Sequence, residues 1–145
     1  MPYITKTLLV PFSAQQMYTL VNDIEAYPDY LPWCKAATIH TRAETQLEAT
    51  LCIGKGLVKQ TISTLNTMIP NAQIKMQYKA GPFKHCNGEW NFIALEDRKT
   101  QVEFAINYDF NNALAAMAME PLFNPITTTL IDAFYKRAQE LYGNK

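Results

Sequence analysis

The sequence is poor in the residue types that most often carry chemistry. Of 145 residues, three are cysteine and two are histidine. Cys34, Cys52 and Cys86 are widely spaced and form no C-x-x-C pair, so neither a zinc site nor a disulfide framework is indicated. His85 and Cys86 are adjacent, but neighbours on a strand point to opposite faces. Reduced thiols in a cytosol are the simple reading. Charge of one sign is also lacking, since thirteen Lys and Arg balance thirteen Asp and Glu. That balance excludes the basic excess typical of nucleic-acid binders and leaves only a local patch for such a contact. No apolar run approaches a membrane span. Met1-Pro2-Tyr3 opens without a basic, apolar signal or an Arg-rich presequence, so a cytoplasmic protein is expected. P-loop, G-x-G-x-x-G and G-x-S-x-G patterns are absent. No paired carboxylates or activated nucleophile can be argued. No catalytic residue is therefore assigned, no metal or cofactor is expected, and the protein is read as a non-enzyme.

What is present is pattern. The length suits one domain over 1–145. Ile4 to Val10 reads as a strand. Ser13 and Gln16 make a capping box for a helix bearing Met17, Leu20, Val21 and Ile24, with Phe12 and Met17 as its hydrophobic staple. That helix must end before Pro28. Tyr27-Pro28-Asp29-Tyr30-Leu31-Pro32-Trp33-Cys34 is too apolar for a plain loop and too broken for a long helix, so a short helical turn closing over something is expected. From Ala36 to Phe110 the period is two, clearest in Leu47–Ile53, Ile74–Tyr78 and Val102–Phe110. Weaker strands are read at Thr38–Arg42, Val58–Leu65 and Gly88–Leu95. One wet face per strand marks antiparallel sheet. The chain ends in helix. A first segment is capped by Asn111 or Asn112 and interrupted at Pro121 and Pro125. A final helix then starts at Asn124-Pro125 and ends near Gly143, with Ile126, Leu130, Ala133, Phe134 and Leu141 on one face.

This order implies an α+β fold: six to seven antiparallel strands curved around a long C-terminal helix, with two short helices after the first strand. One helix need not fill the concave face, so an apolar cavity is expected.

Several motifs carry a family resemblance. Tyr27 to Cys34 resembles the YPxFLPWC signature of the coenzyme-Q-binding START proteins, with Tyr30 where phenylalanine is common. Gly81-Pro82-Phe83-Lys84, Gly88 and Trp90-x-Phe92 resemble that family's GPF…GxWxF strand pair. Tyr108-Asp109-Phe110 and Phe134-x-x-Arg137-Ala138 resemble its closing strand and final helix. The family includes the bacterial ribosome-association toxin group. The resemblance implies a START-like helix-grip fold (the polyketide cyclase type) and a carrier of ubiquinone or a similar polyprenyl lipid that supports respiratory electron transport. It places the protein in the bacterial cytoplasm or peripherally at the inner membrane. The alternative it implies is an inhibitor of ribosomal subunit association that binds the large subunit. A polyketide cyclase or aromatase-like enzyme ranks third, because fold is weak warrant for activity.

The ligand-binding candidates are Tyr27, Leu31, Trp33, Met76, Phe83, Trp90, Phe92, Phe110, Met117, Phe123, Ile126, Leu130, Phe134 and Arg137. A single aromatic is more often core than pocket wall. Trp33 and Phe83 are nevertheless favoured as pocket, since proline-bracketed turns need not supply core. Arg137 falls on the apolar stripe of the last helix, where its stem covers apolar surface or its head donates to a quinone carbonyl or phosphate at the pocket mouth. Cys34 reads as a buried, inert thiol. Tyr30, Leu31 and Trp33 suit transient membrane contact or a buried lid equally. Lys55, Lys59, Lys75, Lys79 and Lys84 could form a basic patch for the ribosome, though a solvated sheet face is simpler. The oligomeric state is open, because a sheet edge can pair with another subunit.

Overall fold

The computed structural model describes residues 3–143. Strand β1 (Tyr3–Val10) leads to α1 (Ala14–Asn22) and a 3-10 helix (Ile24–Asp29). Six strands follow: β2 (Cys34–Arg42), β3 (Gln46–Lys55), β4 (Val58–Ile69), β5 (Gln73–Ala80), β6 (Phe83–Glu96) and β7 (Lys99–Phe110). Helix α2 (Ala113–Tyr142) closes the chain. The sheet order is β1-β7-β6-β5-β4-β3-β2, and every neighbouring pair is antiparallel. This is the expected seven-strand sheet with a long C-terminal helix. No helix among the described residues is long and apolar enough to cross a membrane.

Local chemistry explains the joints. Ser13 Oγ accepts from the Gln16 amide at 3.0 Å, and Gln16 Oε1 accepts from the Ser13 amide at 2.9 Å. This is the reciprocal capping box, with Phe12 and Met17 both buried beside it. After α1 the chain tightens into the 3-10 turn, which contains Pro28. The Tyr27 hydroxyl donates to the Val21 carbonyl and ties that turn to α1. Gly56 takes φ +62° in the β3–β4 hairpin, a conformation that costs glycine little. Along β7, Thr100, Val102, Phe104, Ile106, Tyr108 and Phe110 are buried, with half-buried residues between them.

The C-terminal helix departs from expectation. It is one continuous helix of 30 residues containing both Pro121 and Pro125, capped by the Asn112 side chain on the Ala115 amide. A proline inside a helix costs ~3 kcal/mol. Burial of a large apolar side chain returns roughly 1.5–3 kcal/mol, and Leu122, Phe123 and Ile126 are all buried here. Packing therefore outweighs the local breakers, and both prolines lie on the exposed side. The buried stripe also differs from the one read off the sequence. It includes Ile131, Phe134 and Ala138, while Leu141 is 38% exposed.

Two aromatic clusters fill much of the interior. Phe83 stacks on Phe110 with centroids 5.0 Å apart and meets Phe123 at 4.9 Å, which in turn meets Tyr108 at 4.7 Å. Trp90 packs against Phe104 at 4.5 Å, Phe134 at 5.4 Å and Phe92 at 6.2 Å. Tyr108 also donates to Glu120 Oε1 at 3.1 Å, linking β7 to α2.

Burial raises the acid groups of this interior together. It pushes the Cys34 thiol up to about 11 and the Cys86 thiol up to about 12. Burial, then the Glu120 carboxylate, pushes Tyr108 up to about 12. Tyr27 and Tyr30 are also raised, mainly by burial. Groups raised on folding stabilise the native state below their unfolded pKa, and that stability is lost as pH climbs through the folded values. Unfolding free energy should therefore hold up to about pH 9 and fall between about pH 9 and 12, measured by urea titration across that range. A flat profile to pH 12 would contradict the burial of these groups. Cys52, half-buried, is expected to take up iodoacetamide first at pH 8. At that pH a thiol of pKa about 12 is ionised in only ~1 molecule in 10⁴. Native mass spectrometry should show one fast adduct, and denatured protein three.

Candidate functional site: an apolar cavity under the C-terminal helix

A partly enclosed cavity of about 120 Å³ lies between the sheet and α2. Ala49, Leu51 and Ile53 of β3, Ile62, Thr64 and Asn66 of β4, and Met76 of β5 form one wall. Cys86 and Gly88 of β6 with Phe104 and Ile106 of β7 continue it. Phe123, Ile126, Thr127 and Leu130 of α2 form the roof, and Ile24, Tyr27 and Trp33 close one side.

Two inward positions of the wall, Ala49 and Gly88, carry almost no side chain. At Gly88 the Met76 methyl takes the room, 2.5 Å from where a Cβ would sit, so a side chain at 88 would displace Met76.

The lining contains no carboxylate, histidine, lysine or arginine. Its polar groups are few. Tyr27 spends its hydroxyl on Val21, and the Thr127 hydroxyl donates to the Asn124 carbonyl of its own helix at 3.1 Å. Thr64 Oγ1 donates to Asn66 Oδ1 at 2.9 Å. Asn66 is 3% exposed, and its NH2 has no acceptor among the described residues. With no ionisable group poised to give or take a proton near neutral pH, this lining suits binding better than general acid–base chemistry.

A second depression adjoins the first. Trp33 and Ile126 belong to both, and the outer groove of about 380 Å³ runs between Gly54–Gly56 and the Pro121–Pro125 stretch of α2. Lys35 and Lys55 stand at its rim.

Of the residues singled out from sequence, Tyr27, Trp33, Met76, Phe123, Ile126 and Leu130 line the cavity. Leu31, Phe83, Trp90, Phe92, Phe110 and Phe134 are core instead, each at most 6% exposed and absent from the lining. Phe83 is held in the Phe110–Phe123 cluster because the Gly81 turn folds it inward, where its amide donates to the Tyr78 hydroxyl at 3.1 Å. Met117 is 76% exposed on the outer side of α2. Arg137 is not at the cavity. Its guanidinium lies 4.8 Å from the Tyr30 ring centroid and pairs with Glu140 at 3.2 Å, so it clamps the turn after the 3-10 helix to α2. Of the three residues read as suited to membrane contact or to a lid, Leu31 is buried and Tyr30 and Trp33 are half-buried. The expected basic patch is diluted: Lys75 pairs in register with Glu89, and Lys79 lies 4.0 Å from Glu48. Sequence reading missed Thr64, Asn66 and Thr127. The signal for the first two was the inward row Ile62, Thr64, Asn66, Met68, in which two polar residues interrupt an apolar face.

Comparison with known proteins agrees with this architecture. The family model for polyketide cyclase / dehydrase and lipid transport matches residues 10–135. The ribosome association toxin RatA of Pseudomonas aeruginosa is 35% identical over 97% of this chain and 98% of its own length. The mitochondrial coenzyme Q-binding protein COQ10 of Drosophila melanogaster is 25% identical over 96% of this chain and 59% of its own. Among solved structures, the Zhui aromatase/cyclase of a Streptomyces species superposes with a TM-score of 0.83 at 16% identity, covering 95% of this chain and 93% of that one. The helix-grip sheet, its cavity and a match over most of the chain together make this protein a member of the polyketide cyclase / dehydrase and lipid transport family.

Proposed function

We propose that the protein binds and carries a ring-bearing hydrophobic molecule of the isoprenoid quinone class, ubiquinone or a close analogue. The observation that carries this reading is the apolar cavity itself, lined by Ala49, Met76 and other apolar side chains and without carboxylate, histidine, lysine or arginine. At about 120 Å³ the cavity is smaller than the one of about 150 Å³ known to take benzene, so a quinone ring enters only as adaptable side chains such as Met76 yield. A polyprenyl tail lies outside it, toward the outer groove that shares Trp33 and Ile126 with the cavity. The likeness to a coenzyme Q-binding protein supports the same ligand class.

A second reading has its own support: the full-length likeness to proteins named ribosome association toxin. In it the protein contacts the large ribosomal subunit and keeps the subunits apart. The interleaved charges on the outer sheet face give that reading no broad basic surface. An enzymatic role as a cyclase draws on fold likeness alone.

The first test is organic extraction of freshly purified protein with mass spectrometry of the extract, alongside thermal unfolding with a short-tailed ubiquinone. At a hundredfold excess over Kd a ligand adds ~2.7 kcal/mol, which for a chain this long raises Tm by roughly 5–10 °C. Ala49→Leu fills the cavity floor, so it should keep or raise the ligand-free Tm and abolish the shift. No quinone in the extract and no shift on addition would reject the carrier reading. For the second reading, added protein should lower the 70S-to-subunit ratio in sucrose gradients of a bacterial lysate. An unchanged ratio at saturating protein would reject it.

A further inference from the structure

Strand β4 turns the row Ile62, Thr64, Asn66 and Met68 toward the interior, since side chains on a strand alternate faces. Two members of that row are polar where packing alone calls for apolar ones. Asn66 is 3% exposed and lines the cavity. Its oxygen is taken by the Thr64 hydroxyl at 2.9 Å. That bond fixes the amide plane and leaves the NH2, two donors with no acceptor among the described residues, as the group available to the cavity. Apart from the Trp33 indole N–H, on the side shared with the outer groove, the other polar side chains of the lining are committed locally or are poor partners. Tyr27 bonds Val21, Thr127 bonds its own helix at Asn124, and Cys86 is a weak donor held protonated by burial.

We infer that Asn66, held in place by Thr64, is the recognition group of the cavity: it donates a hydrogen bond to an oxygen acceptor on the ring of the bound ligand. The ring is seated inward against β4, and the hydrocarbon tail leaves past Trp33. The ligand class is thereby narrowed from hydrophobic molecules in general to rings bearing a carbonyl or ether oxygen. A plain acyl chain has no use for the donor, and a ring without oxygen leaves it unsatisfied. An analogue that lacks the acceptor forgoes that hydrogen bond and binds more weakly.

The inference rests on the carrier reading, and its test separates the two. Isothermal titration calorimetry compares a ubiquinone bearing a decyl tail with decylbenzene, on the parent protein and on Asn66→Leu, a change of similar volume. The parent is expected to bind the quinone about tenfold more tightly than the arene, the value of one neutral hydrogen bond. Asn66→Leu is expected to erase that preference, weakening the quinone and tightening the arene, which no longer leaves an amide unpaired. If Asn66→Leu does not fold, Thr64→Val/Asn66→Leu replaces it, because removing both partners leaves neither unsatisfied. A quinone preference that persists in the variant overturns the role of Asn66 and leaves the carrier reading standing. A parent protein that binds neither probe overturns both.

Discussion

One helix has to cover the inner face of seven strands. With strands about 4.8 Å apart, such a sheet is roughly 30 Å wide, whereas a helix with its side chains is about 10 Å across. The sheet must curl, and even curled it leaves volume that side chains have to fill. Large aromatics fill it in two places: around Phe83, Tyr108, Phe110 and Phe123, and around Trp90, Phe92, Phe104 and Phe134. Between them the strands present Ala49 and Gly88. The cavity is what remains beside Ala49, while the Met76 methyl takes the room over Gly88.

This constraint explains what could be read from the sequence and what could not. Period-two alternation marks the strands because each has one dry face, and the Ser13–Gln16 box marks α1 because its chemistry is local. Neither feature needs tertiary knowledge. Continuity of α2 through Pro121 and Pro125 does, because the side chains that outweigh the prolines, Leu122, Phe123 and Ile126, gain only on docking to the sheet. Aromatic wall and aromatic core also look alike in sequence. Phe104 lines the cavity while Phe110, on the same face of the same strand, does not. The difference lies in what stands opposite, and no single-strand pattern records that. Asn66 was hidden for a related reason. The expected strand stopped at Leu65, whereas β4 runs to Ile69, because Thr64 and Asn66 break the apolar alternation that defines a strand in sequence.

Two acidic groups of the cavity wall are held protonated near neutrality by burial. The cavity thiol of Cys86 is pushed up to about 12, and Tyr27 is raised well beyond its ordinary range while its hydroxyl is engaged. Neither is a nucleophile or base near neutrality. The superposition on an aromatase/cyclase is a statement about backbone. The same scaffold hosts reactions or simple retention according to which side chains face the cavity.

The two functional readings meet at one end of the molecule. On β5, Lys75 and Lys79 are matched by Glu89 and Glu48, so an electrostatic contact with ribosomal RNA gains little there. Lys35 and Lys55 instead rim the outer groove, which shares Trp33 and Ile126 with the cavity. In the carrier reading a tail that extends beyond the ring lies along this groove, beside the same two lysines.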